Sequence, residues 1–79
     1  MDLKTGDNAF ILFLEEIEAE MLSPHDENDG VFRTFEANKA TEQVFVVGVN
    51  EDQDSVDLEL WNGRVIYSIP RESFSVVPF

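Results

Sequence analysis

The groups in this sequence able to do chemistry are its carboxylates. Seventeen Asp and Glu residues stand against five Lys and Arg, and the 79-residue chain has a formal net charge of -12. There is no cysteine and one histidine, His25. That excludes disulfides, thiolate zinc sites and thiol nucleophiles, and it argues against a His-based metal centre. Carboxylates alone can hold a hard cation, act as an acid–base pair, or present negative charge to a partner. Their spacing decides among these.

The segment HDENDGVFRTFE, residues 25–36, spaces Glu27, Asp29, Gly30, Phe32 and Glu36 in the manner of an EF-hand calcium loop. His25 stands where the first carboxylate ligand belongs, and Pro24 interrupts the preceding element, so a solvated acidic loop is the stronger reading. In NEDQDSVD, residues 50–57, Glu51, Asp52, Asp54 and Asp57 could hold a cation weakly. A hairpin loop with solvating charges accounts for them better. No metal or other cofactor is expected. His25 has no Ser or Cys partner in a recognisable context, and no second catalytic group accompanies any carboxylate pair. The expectation is a protein that is not an enzyme.

The third use of the charge remains. Glu15, Glu16, Glu18 and Glu20 fall on one element, Asp26, Glu27 and Asp29 on the next loop, and Glu51, Asp52, Asp54, Asp57 and Glu59 further on. A field of this sign repels phosphate backbones and anionic membranes and attracts basic surfaces. Direct nucleic-acid binding is disfavoured. The plainer alternative is that the charge only maintains solubility.

The elements that must position these acids can be read in part. An apolar content of 43% with seven Phe, one Tyr and one Trp predicts a folded chain. Its length predicts one domain, residues 1–79. AFILFL is followed at once by Glu15 and Glu16, which leaves no membrane span, and MDLKTGD lacks the positive start of a signal peptide. A cytoplasmic protein is expected.

The clearest local signal is WNGR, residues 61–64, where Asn62-Gly63 predicts a two-residue type I′ hairpin. That turn would oppose Leu60 to Val65, Glu59 to Ile66, Leu58 to Tyr67 and Val56 to Ile69. Val56, Leu58, Leu60, Val65, Tyr67 and Ile69 would then share one face, and Asp57, Glu59, Trp61, Arg64, Ile66 and Ser68 the other. QVFVVGV, residues 43–49, joins this hairpin as a third strand, with Gly48 marking a bulge or a close backbone approach. VFRTFE and FSVV read as further strands, RES as a 3₁₀ turn, and SPHDENDG as a loop. Residues 9–22 stay open. Phe10, Phe13, Leu14, Ile17 and Met21 make a helical stripe, whereas EIEAEM alternates as a strand.

The order of elements resembles a mainly β, five-stranded SH3-like barrel. EIEAEML and VFRTFE would flank its long first loop, NEDQDS would be the next, WNGR the distal hairpin, and IPRESFSVV the 3₁₀ turn entering the last strand. If residues 9–22 are helical, the remaining strands look like an Sm-like barrel, a family that binds RNA through basic loops this chain lacks. The aromatic ALYDY-like stretch and paired tryptophans of peptide-binding SH3 domains are also missing, so that activity does not carry over.

In composition the chain is similar to phage-type DNA mimics, which are short, cysteine-free and acidic, and which block nucleic-acid-binding enzymes. This resemblance implies an inhibitor or regulator that occupies the basic groove of such a protein. Glu16, Glu18, Glu20, Asp52, Asp54, Asp57 and Glu59 would imitate phosphates, with Trp61, Ile66 and Phe79 as apolar anchors where exposed. The alternative is a structural or adaptor barrel that binds another protein through a sheet edge or the Trp61 face.

Overall fold

The computed structural model describes residues 2–78, apart from the side chain of Glu27. Residues 9–22 are not helical. They form the strands β1 (Asn8–Phe13) and β2 (Ile17–Ser23), separated by Leu14, Glu15 and Glu16. The alternation of Ala9, Ile11 and Phe13 into the core outweighs the good helix propensity of Ala, Leu, Met and Glu. The helix required for the Sm-like alternative is therefore absent.

The other strands are β3 (Asp26–Phe35), β4 (Thr41–Asn50), β5 (Ser55–Leu60), β6 (Val65–Pro70) and β7 (Phe74–Val77), with a 3₁₀ turn at Arg71–Ser73. All seven form one antiparallel sheet in the order β3-β2-β6-β5-β4-β1-β7. Seven strands replace the expected five because residues 9–22 supply two of them, β1 and β2, and β2 pairs with β3 from Ile17 opposite Phe35 to Leu22 opposite Gly30. The expected acidic loop of residues 23–30 shrinks to a tight turn at Pro24-His25.

The sheet curls around one apolar cluster in which Ile11, Phe13, Val46, Leu58, Ile66, Ile69 and Phe74 are buried. Phe13 lies at its centre, with ring centroids 5.0 Å from Phe35 and 6.1 Å from Phe74, the latter edge-on. Such contacts add about 0.5–1.5 kcal/mol to the burial itself. The 3₁₀ turn is closed by the buried Ser73, whose hydroxyl donates to the Pro70 carbonyl at 2.6 Å.

The amino-terminal arm is tied down twice. Gly6, at φ 99, closes a turn in which Asp7 N–H donates to the Lys4 carbonyl, and Gly6 and Asp7 then exchange hydrogen bonds with Val46. Arg71 makes a two-pronged contact with Asp2, both bonds 2.8 Å, while also donating to the Phe74 carbonyl and covering the Phe74 ring. These hydrogen bonds hold the Asp2 carboxyl at about 2 and raise the Arg71 guanidinium further.

The WNGR hairpin departs from its expected register. Leu60 N–H donates to the Arg64 carbonyl and Gly63 N–H to the Leu60 carbonyl, which makes a three-residue loop with Gly63 at φ 83 instead of a two-residue turn. Leu58 consequently opposes Ile66, and Glu59 opposes Val65. Ile66 turns inward and is fully buried, whereas Tyr67 turns outward. A bulge at Tyr67-Ser68 then restores the expected pairing of Val56 with Ile69.

A candidate docking face on the outer sheet

The site begins with that bulge. Ser68 sits in the left-handed region, φ 58, and its N–H donates to Asp57 Oδ1 at 2.8 Å. Asp57 has room because residue 48 is glycine. A Cβ built there would lie 2.9 Å from Asp57 Oδ2. β4 is itself bulged between Val46 and Gly48, the first of the two alternatives expected there, and the group that closes on the glycine is a side-chain carboxylate, not backbone. Asp57 is thus half-buried and spent on holding β6.

On the outer side of the sheet one row of residues runs across four strands, with Val65 buried within it and Leu22 and Glu59 half-buried. Phe45, Glu59, Val65 and Leu22 fall in register across β4, β5, β6 and β2. Glu18 and Glu20 share the Leu22 face by strand alternation. They are exposed, about 6.7 Å apart at the two-residue repeat of a strand. Tyr67, 53% exposed, stands on the β6 side.

β2 and β6 meet at one point, Leu22 opposite Val65, and diverge from there. The result is an open groove of about 460 Å³, with Ile17, Ala19 and Ile69 among its lining and Glu16, Glu18, Glu20, Tyr67 and Ser68 around them. None of the residues that line it is a Lys or Arg. Arg64, next to Val65 at its closed end, is engaged with the Asp29 carboxylate at 2.9 Å and with the Asp29 and Met21 carbonyls.

The bases are spent elsewhere as well. Arg33 pairs with Glu42 at 2.6 Å while lying over Phe35, Lys39 pairs with Glu36, and Arg71 pairs with Asp2. Four of the five bases thus neutralise Asp2, Asp29, Glu36 and Glu42. Among the described residues, none of the seven carboxylates expected to imitate phosphates forms an ion pair with a Lys or Arg.

Those carboxylates are not all in one place. Glu16, Glu18 and Glu20 gather at the groove, Asp52 and Asp54 are exposed in the β4–β5 turn, and Glu59 is half-buried beside Phe45 and Trp61 on the outer face. Asp54, at φ 50, also gives its carbonyl to Arg71 N–H. Trp61, at the hairpin tip, is 75% exposed. Of the other apolar anchors, Ile66 belongs to the core, and Phe79 lies outside the described residues.

Two surface contributors escaped the sequence reading. Tyr67 was expected on the core face, and a three-residue loop at WNGR is the signal that would have placed it outside. Phe32, 67% exposed opposite Glu20, looks inward in any strand pattern that treats aromatics as core. The EF-hand-like spacing of residues 25–36, read from the sequence as a solvated acidic loop, lies instead almost wholly in the extended strand β3, whose side chains point alternately to opposite faces, and Asp29 is held by Arg64. No described helix is long and apolar enough to cross a membrane. Comparison with protein-family models, curated proteins and solved structures yields no match.

Proposed function

We propose that this protein is a non-enzymatic inhibitor or regulator that docks its outer sheet face on the basic, nucleic-acid-binding groove of another protein. The observation that carries this reading is the partition of charge. Four of the five bases are paired with Asp2, Asp29, Glu36 and Glu42, and Glu16, Glu18, Glu20, Asp52 and Glu59 keep their charge for a partner. Glu18 and Glu20 repeat at about the interval of phosphates along one strand of a duplex. Trp61 and Tyr67 supply the apolar contact that charge alone lacks.

An SH3-like barrel is the architecture we propose to underlie it. The order β7-β1-β4-β5-β6, the β2–β3 hairpin inserted between β1 and β4, and the 3₁₀ turn before β7 support that assignment. A second reading, an adaptor that binds through apolar contact, is favoured by the exposure of Trp61 and Phe32.

The two separate by salt and competition. The tagged protein is used to capture partners from bacterial lysate, eluted by a salt gradient and then by duplex DNA, and the Glu16→Lys/Glu18→Lys/Glu20→Lys variant is run beside it. The mimic requires a nucleic-acid-binding protein that DNA displaces and the variant does not capture, with affinity reduced at least tenfold, about 1.4 kcal/mol. A partner retained by the variant and at high salt, where screening reaches ~3 Å, would leave only the adaptor.

A further inference from the structure

We infer that the β2–β6 groove receives an extended segment of the partner as an added strand, one alternating Lys or Arg with small apolar residues. The inference rests on the docking reading above, because it employs the same Glu18 and Glu20, and it adds the conformation and the side-chain pattern of what binds.

The main chain carries the first part of the argument. Leu60 N–H donates to the Arg64 carbonyl, so the two-residue alternation of β6 turns the peptide groups of Val65 and Tyr67 away from β5 and toward β2. Val65 finds Leu22 there. By the same alternation Glu20 and Glu18 turn their N–H and C=O groups into the groove, where β6 has already diverged. A sheet interrupted in this way offers unpaired edges on both walls, and an extended peptide satisfies them by strand addition.

The β2 wall is the better template. β6 carries the Ser68 bulge and ends in Pro70, which has no N–H to give. A segment antiparallel to β2 would place alternate side chains opposite Glu18 and Glu20 on the outer face, and the intervening ones opposite Ala19, over the floor of Ile17, Ala19 and Ile69. The outer positions call for cations, which Tyr67 can also meet with its ring. The inner positions call for small apolar groups. Charge complementarity thus selects the occupant: a second copy of this chain, itself strongly acidic, is disfavoured.

The test uses the full chain and two blocked hexapeptides of equal composition, Lys-Val-Lys-Val-Lys-Val and Lys-Lys-Lys-Val-Val-Val, with residue-resolved amide hydrogen exchange. The alternating peptide, at about ten times its Kd, should slow exchange at the Glu18 and Glu20 amides about tenfold, and the block peptide should not. The Glu18→Lys/Glu20→Lys variant should lose the effect. If both peptides bind in a salt-sensitive manner and neither protects these amides, strand addition is wrong while charge docking stands. Protection along residues 26–35 would overturn it in favour of the outer edge. Absence of binding by either peptide would overturn it too, and the lysate competition would then decide the docking reading separately.

Discussion

Replacing Gly48 with Ala places a Cβ 2.9 Å from Asp57 Oδ2, closer than such atoms approach in folded proteins. Asp57 cannot yield freely, because its other oxygen holds Ser68 N–H at 2.8 Å. The substitution should therefore cost about what losing that bond costs. A hydrogen bond to a charged group contributes about 1.5–3 kcal/mol, and Ser68 is exposed enough for water to replace part of it. We expect about 1–2 kcal/mol for Gly48→Ala and a similar loss for Asp57→Ala. The two should not add. With Asp57 already Ala, the new Cβ has no carboxylate to displace, and the reduced freedom of the unfolded chain makes Gly48→Ala neutral or stabilising by about 0.5 kcal/mol. Urea denaturation of the four proteins in a double-mutant cycle measures the coupling, expected to exceed about 1 kcal/mol. Costs that sum within about 0.3 kcal/mol would refute this account of why residue 48 is glycine and Asp57 is withheld from the docking face.

Ser68→Gly should stabilise the protein by about 1 kcal/mol in thermal unfolding, since it removes the penalty of a left-handed non-glycine residue while retaining the N–H. Ile66→Ala should cost about 2–5 kcal/mol and Tyr67→Ala less than about 1 kcal/mol; the opposite order would restore the two-residue hairpin register. Trp61→Ala should leave the unfolding midpoint nearly unchanged and weaken partner binding, as judged by the same capture assay. The Asp2–Arg71 contact should contribute in full above the ordinary carboxylate range and be lost as pH falls toward 2, because the folded carboxyl is held at about 2. Asp2→Asn should therefore abolish that part of the acid sensitivity, at a cost near neutral pH of no more than about 1 kcal/mol because Asp2 is largely solvated. A larger cost at neutral pH would mean that the contact anchors the amino-terminal arm more strongly than a surface ion pair can.

The acids were legible from the sequence as a partner surface only in sum. Glu18 and Glu20 could be placed on one outward face because EIEAEM alternates, and the strand period leaves no other arrangement once a strand is granted. Asp57 could not be separated from them. Its diversion depends on a bulge in β6 and on space over a glycine in β4, which are properties of three strands together. Arg33, Arg64 and Arg71 reach carboxylates distant in sequence, so the charge left over for a partner could not be counted until the chain was folded.

By itself the sequence determined that the fold is built mainly of strands, which segments supply most of them, that WNGR makes a hairpin, and that Gly48 marks a special position. Each of these follows from local sterics or from a period of two, and neighbours in the chain suffice to express it. Tertiary structure alone decided that residues 9–22 divide into two strands on opposite sides of the sheet, that Ile66 is buried in place of Tyr67, and that β2 parts from β6 to leave a groove. Those outcomes turn on which strand lies beside which, where a single extra residue in the WNGR loop reverses a face until the bulge in β6 restores it, and one bridge at Leu22 and Val65 sets where the sheet opens.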